Sequence, residues 1–334
     1  MDGPGQVTLT NDALEVTCAP AQGFSISSLV DRASGAEALW RRPGFTPAPC
    51  SRQLGPAGEA SGQGFLDVFS GGWFEMFPEV GYTLEGDPTS LVHGEVVRLP
   101  WELLDRGPAH VEARVATVRR PLALTRRMTL DGPTLRVRER IENVGAAAAP
   151  YTWGQHPCFA RATFAGGRLE VAVSAAEVPD PWFDPDHATL AHGPFAWPHA
   201  PARAADDDRA DATAGAGLAS VDLSAIPATA DRRHDHACLT VAAGEFRLTA
   251  PSAGPAGRAL RVAFDREQFP HVLLWECFGA GEGPPFWGGC DTFGVEFSTM
   301  PGRSTPDAIA AGAIREIAPG ETVETEWSIA WEAV

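Results

Sequence analysis

Hydrophobic and polar positions alternate along most of the chain, in short segments separated by turn residues. "VTLTNDALEVTCAP" predicts two strands around Asn11-Asp12, and "LTRRMTLDGPTLRVRERIENVG" predicts two longer strands around Asp131-Gly132. An Asp-Gly pair between two alternating segments is typical of a β-hairpin. The pattern therefore predicts a fold that begins with antiparallel strand pairs.

The second arm of the longer hairpin has one apolar and one basic face. Leu135, Val137 and Ile141 share the apolar face, and arginines occupy the positions between them. Glu139 interrupts the apolar row. We therefore expect this face to be partly buried, or to meet a polar site.

Further strand signals continue to the end of the chain, and helical periodicity is scarce. We expect strands in "HVEARVATV", "RLEVAVSAAEV", "ACLTVAAGEFRLTAP", "ALRVAFD", "HVLLWECFG", "FGVEFSTM" and "ETVETEWSIAWEAV", and one short helix in "TPDAIAAGAIREI". Many short strands with frequent glycine and proline favour an all-β sandwich or barrel over alternating strands and helices.

No internal repeat or linker divides the sequence, so we expect residues 1–334 to form a single β domain. The segment from Pro179 to Asp235 differs from the rest because it is rich in alanine, aspartate, proline and histidine. It has few strand signals and predicts long surface loops. Long loops on a β scaffold often carry binding residues.

Composition and charge narrow the classes of function. The chain is 44% hydrophobic and 21% charged, with a net charge of −17, which argues against a nucleic-acid partner. All 26 basic residues are arginine, which excludes enzymes that need a catalytic lysine. No segment is apolar enough for a membrane span, and "MDGPGQVTLT" lacks the features of a signal peptide, so we expect a cytoplasmic protein. The six scattered cysteines predict reduced thiols.

Aromatic residues beside carboxylates mark two candidate sugar-binding segments. Trp73 and Glu75 lie in "SGGWFEMFPEVGY", and Trp182 lies in "PDPWFDPDH". An aromatic ring covers the C–H face of a sugar, and acidic groups accept its hydroxyl protons. The alternative for the first segment is a buried aromatic turn.

Three residues are candidates for proton transfer. His156 in "TWGQHPCFAR" is a packed core histidine, a metal ligand or a proton carrier, and these alternatives stay open on its local sequence alone. His93, in "LVHGEVV", has a structural alternative as well. Glu296 lies between Val295 and Phe297 in a strand pattern, so its side chain points either to solvent or into a cavity, and spacing alone favours solvent.

Metal sites, nucleophilic serines and nucleotide cofactors have weaker support in the sequence. His234 and His236 share one face of a strand in "RRHDHAC", but no third ligand accompanies them, so we predict no metal site. No G-x-S-x-G motif selects a nucleophilic serine. No motif for a nucleotide cofactor occurs, and we predict that the protein needs no cofactor.

In order along the chain, these clusters resemble those of the aldose 1-epimerase, or galactose mutarotase-like, superfamily. The resemblance rests on His93-Gly94, on "HPCF" from His156 to Phe159, on the strand that contains Glu296, and on the later segments "STMPGRSTPDA" and "IAPGETVETEWSIAWE". It extends from about Gly71 to the end of the chain.

The resemblance implies a large antiparallel β-sandwich, the galactose mutarotase-like supersandwich with long loops, that binds a small-molecule sugar on one sheet. It implies that Glu296 is the general base for the anomeric hydroxyl and that His156 is the acid for the ring oxygen. It also implies that His93 binds the substrate, with Trp73, Glu75, Trp182 and Glu276 as further candidate contacts. The implied function is interconversion of sugar anomers; the alternative is a non-catalytic sugar-binding protein on the same scaffold.

The chain also departs from the superfamily pattern. Gln155 stands where asparagine is expected before the central histidine, and "GGWFEMFPEVGY" replaces the expected Asn-Arg segment. The substrate therefore need not be free galactose or glucose. A phosphorylated sugar is one alternative, with Arg52 and Arg98 as candidate phosphate ligands.

Overall fold

A computed structural model describes residues 5–45, 49–58, 60–84, 87–204, 219–254 and 256–334. The strands of the first half are β1 Val7–Thr10, β2 Leu14–Ala19, β3 Ser25–Asp31, β4 Trp73–Met76, β5 Glu102–Gly107, β6 His110–Ala116, β7 Leu122–Asp131, β8 Thr134–Asn143, β9 Ala149–Tyr151, β10 Gly154–Pro157 and β11 Phe159–Ala160. Those of the second half are β12 Leu169–Val178, β13 Gly193–Phe195, β14 His199–Pro201, β15 Ser220–Asp222, β16 His234–Ala250, β17 Arg258–Phe264, β18 His271–Phe278, β19 Asp291–Ser298, β20 Arg315–Ile317 and β21 Thr322–Ala333. The helices are α1 Ala60–Val68, α2 Arg161–Phe164, α3 Thr305–Ala310 and a 3-10 turn at Val96–Arg98.

The strands form two antiparallel layers that share long strands. One layer runs β1–β2–β3–β4–β10–β19–β18–β16. The other runs β5–β6–β7–β8–β21–β17–β16. The first half of β16 pairs with β18 and its second half pairs with β17, so this 17-residue strand passes from one layer to the other. The architecture is the large antiparallel β-sandwich that the motifs predict.

The core fills the space between the layers, because alternate side chains of each strand point inward. In β19, Phe293, Val295 and Phe297 join this core, so Gly294 and Glu296 lie on the opposite face of the sheet. The same alternation of side chains in β10 and β18 decides which of their residues lie on that outer face.

The hairpins that the sequence predicts are present. β1 pairs with β2 across Asn11-Asp12, and β7 pairs with β8 across Asp131-Gly132. The helix predicted in "TPDAIAAGAIREI" is shorter than its pattern, because α3 ends before Gly312, whose φ is 63°. A left-handed glycine just past the last turn is a common helix stop.

In the described part of the loop-rich segment 179–235, three short strands, β13, β14 and β15, precede β16. Residues 205–218, which include Asp206, Asp207 and Asp208, lie outside the described residues. The single-domain organisation stays a prediction. No helix in the described part of the chain is both long and apolar enough to cross a membrane.

Candidate active site

A pocket opens on the outer face of the sheet formed by β4, β10, β19, β18 and β16. Its lining is dominated by aromatic and aliphatic side chains, with a few ionisable groups among them: Gly62, Phe65, Leu66, Phe69, Gly81, Tyr82, Val92, His93, His156, Phe183, His236, Leu273, Trp275, Phe286, Glu296 and Arg303. The sequence-predicted residues His93, His156 and Glu296 are all among them. An apolar pocket with a few converging polar groups is the usual form of a small-molecule site.

β10 directs His156 into the pocket. It pairs with β4 so that His156 lies opposite Phe74, and the two rings stack with centroids 4.3 Å apart. Nδ1 of His156 lies 3.6 Å from the Sγ atom of Cys158, which leaves Nε2 facing Glu296. The ring is therefore held on one side by Phe74 and presents a single nitrogen to the pocket.

Glu296 reaches the pocket because its neighbour on the same face has no side chain. A Cβ atom on Gly294 would lie 2.8 Å from Oε1 of Glu296, closer than Cβ contacts normally come. Glu296 is buried, and its Oε1 lies 3.3 Å from Nε2 of His156. The expectation from spacing that this carboxylate points to solvent is therefore wrong: the outer face of β19 is covered at this position by the pocket walls.

The apolar surroundings decide the charge of this pair. Burial lowers the pKa of His156 to about 3 and raises the pKa of Glu296 well above its ordinary value. Both shifts disfavour the charged forms. Both directions therefore favour the uncharged pair, a carboxylic acid beside a neutral imidazole, which holds one proton.

His93 forms the wall next to His156, with their ring centroids 5.3 Å apart. Its backbone is left-handed at φ 59°, and the following Gly94 approaches the Phe77 carbonyl so closely that a Cβ there would lie 2.4 Å from the oxygen. This contact explains the His-Gly pair: the glycine allows the turn that presents His93. Burial, His156 and Arg98 together lower the pKa of His93 well below its ordinary value, so it is neutral.

Two other walls are connected by a chain of hydrogen bonds. The indole N–H of Trp275 donates to Nε2 of His234 at 2.9 Å, and Nδ1 of His234 donates to Asp184 at 3.0 Å. We assign His234 as neutral because Trp275 occupies its Nε2. These hydrogen bonds fix the position of Trp275, whose ring centroid lies 5.5 Å from that of His156. They also hold the segment that carries Phe183, a pocket residue, against β16.

His236 also lines the pocket, two residues after His234 on the same face of β16. Burial is the largest cause that lowers its pKa well below the ordinary value, with His234, Arg303 and His156 adding to it. The described residues contain no group of three or more histidine, cysteine, aspartate or glutamate side chains suited to a metal ion. Of the two histidines that the sequence singles out, His236 forms part of the pocket wall, and His234 holds the wall residue Trp275 in place.

Trp73 and Glu75, predicted as sugar contacts, lie on the other face of β4. Trp73 stacks on Trp327 in the core, with centroids 4.8 Å apart. Glu75 is fully buried and forms an ion pair with Arg126. They alternate with Phe74, which packs on His156, so Trp73 is buried in the core as the alternative expected, but in a strand rather than a turn.

Around Glu75 lies a buried polar network directly beneath β10. Gln155 donates to Glu75 at 2.7 Å and to Glu139 at 3.2 Å, and Arg126 donates to Glu139 at 2.6 Å. The indole N–H of Trp73 donates to the side-chain amide oxygen of Gln155 at 3.0 Å. The face of β8 that carries Glu139 is therefore buried and polar at this point, and Gln155 has a structural role on the side opposite the pocket.

The remaining candidates lie outside the pocket lining. Trp182 stacks on His192 with centroids 3.9 Å apart, while its neighbour Phe183 faces the pocket. Glu276 is buried and paired with Arg233 at 3.0 Å, and burial raises the pKa of Glu276 to about 7 against the opposing effect of Arg233. No contact with a pocket ligand follows from these placements.

The two arginines considered for a phosphate group also lie elsewhere. Arg52 is exposed in a loop, and Arg98 is buried beneath α1, where it donates to the backbone carbonyls of Ser61 and Val92 at 3.0 and 2.8 Å. Neither lines the pocket.

Several pocket residues escape sequence reasoning. Phe65 and Phe69 come from α1 and the residue after it, a segment whose two internal glycines hide the helix. Phe286 comes from the loop between β18 and β19, and Arg303 follows β19 in "STMPGR". Of these four residues, only Arg303 lies in a segment that the sequence analysis had singled out, because "STMPGRSTPDA" is among the motifs of the superfamily resemblance.

Comparison with protein-family models and with curated protein sequences gives no match. Solved structures do match. A galactose mutarotase related enzyme from Lactobacillus acidophilus has a TM-score of 0.63 at 12% identity, covering 98% of this chain and 97% of its own. A galactose mutarotase-like protein from Clostridium acetobutylicum has a TM-score of 0.62 at 11% identity, covering 98% and 95%.

A candidate aldose 1-epimerase from Escherichia coli K12 has a TM-score of 0.64 at 16% identity, covering 99% of this chain and 100% of its own. At these identities the shared property is the architecture, and it extends over the full length of both chains. The chain therefore has the fold of the aldose 1-epimerase, or galactose mutarotase-like, superfamily, as its motifs predict.

Proposed function

We propose that the protein interconverts the anomers of an aldose by acid–base opening and closing of the sugar ring. The observation that carries the proposal is the contact of 3.3 Å between His156 Nε2 and Glu296 Oε1 inside an aromatic pocket. The anomeric hydroxyl oxygen O1 and the ring oxygen O5 are bonded to the same carbon, C1. The acid and the base that serve them must therefore lie side by side, as these two groups do.

Ring opening requires one proton to leave O1 and one to reach O5. The Glu296 carboxylate accepts the O1 proton, and the His156 imidazolium donates its proton to O5. The electrons of the O1–H bond form the C1=O1 carbonyl, and those of the C1–O5 bond remain on O5. Rotation about C1–C2 and the reverse transfers close the ring as the other anomer.

The electrostatics of the pocket favour ring opening from the ionised pair. Because the resting pair favours its uncharged form, the proton of Glu296 first passes to His156, and this transfer forms the carboxylate and imidazolium that react. Ring opening then returns them to a carboxylic acid and a neutral imidazole. Burial raises the pKa of Glu296 and lowers that of His156, so the apolar walls stabilise the form that the opening step produces. The charge that exists at the start disappears as the C1–O5 bond breaks.

The other walls supply binding and orientation. The ring of Trp275, fixed through His234, offers a flat apolar surface for the C–H face of a sugar. His93 is neutral beside His156 and offers a ring nitrogen to a sugar hydroxyl or to O5. Trp73, Glu75, Trp182 and Glu276 have no part in this proposal, because none of them lines the pocket.

Polarimetry of freshly dissolved aldoses tests the proposal. We expect the wild-type protein to accelerate the change in optical rotation, and Glu296→Gln and His156→Gln each to lower that acceleration by about 10²–10⁴-fold. Exposed residues of the same type provide matched controls: Glu316→Gln and His199→Gln should keep wild-type activity. Far-UV circular dichroism checks that each variant is folded.

The proposal fails if the wild-type protein accelerates no aldose in a panel of neutral and charged sugars. Tight sugar binding without any anomer exchange would identify a sugar-binding protein on the same scaffold instead. Cleavage of the sugar, detected by product analysis, would identify a lyase or hydrolase.

A further inference from the structure

One side chain of the pocket carries a charge that the proposed chemistry does not use. Arg303 follows β19 and lines the pocket together with Glu296 and Tyr82. It is 9% exposed. Its backbone is fixed on both sides: the carbonyl accepts the Tyr82 N–H at 2.9 Å, and its N–H donates to Asp307 at 3.0 Å.

The guanidinium has little to bind within the protein. One terminal nitrogen donates to the backbone carbonyl of Pro181. The other two side-chain nitrogens make no hydrogen bond, and no carboxylate forms an ion pair with Arg303, among the described residues. Asp307 bonds the backbone N–H of Arg303 rather than its guanidinium.

The other buried arginines of the described chain are compensated differently. Arg126, Arg161 and Arg233 each pair with a buried or half-buried carboxylate. Arg98 donates to two backbone carbonyls and does not reach the pocket. Among these arginines of the described chain, Arg303 is the one that lines the pocket and pairs with no carboxylate.

The pocket itself offers no compensating negative charge. Among the residues that the structure describes, Glu296 is the one carboxylate of its lining, and it contacts His156 rather than Arg303. Burial raises the pKa of Glu296 and so disfavours its charged form. A buried charge without a partner is costly, and an ionised partner of suitable geometry offsets that cost. The free donors of a guanidinium form a planar fork that matches a carboxylate or a phosphate.

We propose that the substrate is an aldose that carries an anionic group, a carboxylate or a phosphate, which Arg303 binds while C1 lies at His156 and Glu296. This inference rests on the proposed function and specifies its substrate class. A neutral hexose offers the donors of Arg303 hydroxyl oxygens only, without a negative charge that offsets the buried guanidinium. An anionic sugar would satisfy them, so Arg303 discriminates between the two classes.

Three matched sugars test the proposal: a neutral hexose, its uronate, and its 6-phosphate, each measured by anomer exchange with the wild-type protein. We expect kcat/KM for at least one anionic sugar to exceed that for the neutral hexose by about 10–100-fold. Exchange of the uronate alone identifies a carboxylate ligand, and exchange of the 6-phosphate alone identifies a phosphate ligand. This comparison needs no variant, so it stays informative whatever happens to the folding of a mutant.

Arg303→Gln provides the second arm. It should lower kcat/KM for the anionic sugar by about 100-fold, and by a clearly smaller factor for the neutral hexose, which lacks the anionic group. Arg303→Lys should recover part of the loss, and Arg106→Gln, on the exposed edge strand β5, serves as the matched control. Equal losses on both sugar classes would overturn the proposal.

The two proposals fail in different ways. Acceleration of the neutral hexose with no preference for either anionic sugar overturns the role of Arg303 and keeps the epimerase function. Absence of acceleration on all three sugars removes the epimerase function, and with it this inference.

Discussion

His156 and Glu296 form a pair whose chemistry depends on the apolar groups around it. Phe74 covers one face of the imidazole, and Phe69 and Trp275 approach its edge, with ring centroids 6.4 and 5.5 Å away. Water is excluded from most of the pair, so neither group titrates near its ordinary pKa. The active form of the pair holds one proton, and activity is lost when it holds two or none.

The pH dependence of activity follows from these shifts. Addition of a second proton requires His156 to ionise, and its pKa is lowered to about 3. Removal of the last proton requires Glu296 to ionise without a charged partner, and its pKa is raised. We expect the acid limb of kcat/KM, corrected for the spontaneous reaction, to lie near pH 3, and activity to fall at higher pH only as Glu296 loses its proton above its ordinary range. An acid limb near pH 6.5, the ordinary value for histidine, would contradict this description of the pair.

Gly294 gives a sharp test of how Glu296 is placed. In Gly294→Ala the new methyl group would lie 2.8 Å from Glu296 Oε1 and 3.2 Å from the Pro157 carbonyl oxygen, so the carboxylate must move. We expect activity to fall by about 10²-fold, because small misplacements of a catalytic group have effects of this size. Unchanged activity would show that the position of Glu296 is not critical.

The matched control is Gly283→Ala. A Cβ atom at Gly283 meets no other atom within 4 Å, and we expect activity close to wild type. Circular dichroism and thermal unfolding of both variants separate a local displacement from a loss of fold.

At the scale of elements, β10 carries the site on one face and a structural network on the other. Its pairing with β4 places His156 opposite Phe74 on the pocket side, and Gln155 opposite Glu75 on the core side. Strand alternation makes this division obligatory. A shift of one residue in the pairing would exchange the two faces, so the network that holds Gln155 also fixes which side His156 occupies.

The Arg126 network should dominate the stability of this sheet. Arg126 is fully buried between Glu75 and Glu139. Arg126→Met leaves two carboxylates buried without their cation, and we expect the free energy of unfolding to fall by about 3–5 kcal/mol. Urea denaturation followed by circular dichroism measures the change.

A surface arginine on the neighbouring strand provides the control. Arg114 pairs with Glu142 at 3.3 Å, and both side chains are partly exposed to solvent. Arg114→Met should leave the urea midpoint almost unchanged, because exposed ion pairs contribute little. Equal effects of the two substitutions would show that the buried network does not stabilise the fold.

At the scale of the whole molecule, the long strands were predictable and the short ones were not. β7, β8, β12, β16 and β21 have ten or more residues each, and β8 and β21 alternate over most of their length, which is a strong pattern. β4 and β10 have four residues each, all buried on both faces, so they show no alternation. Two of the strands that build the pocket therefore have a weak local signal.

The site residues were predictable only where the order of motifs along the sequence matched that of the superfamily. Their order selected His93, His156 and Glu296, which share one pocket. It could not assign Trp73 and Glu75 to a face of β4, because the register of a short strand is set by its partners. It could not find Arg303 either, since an unpaired arginine is recognisable only when its surroundings are known.

The most direct test of the central claim is anomer exchange at equilibrium, measured by magnetisation transfer between the anomeric protons of the α and β forms. The experiment uses a neutral hexose, its uronate and its 6-phosphate, each with and without protein. We predict exchange cross-peaks for at least one sugar with the wild-type protein, and their return to the buffer level with Glu296→Gln. Exchange at the buffer rate with the wild-type protein for every sugar, or undiminished exchange with Glu296→Gln, would contradict the account.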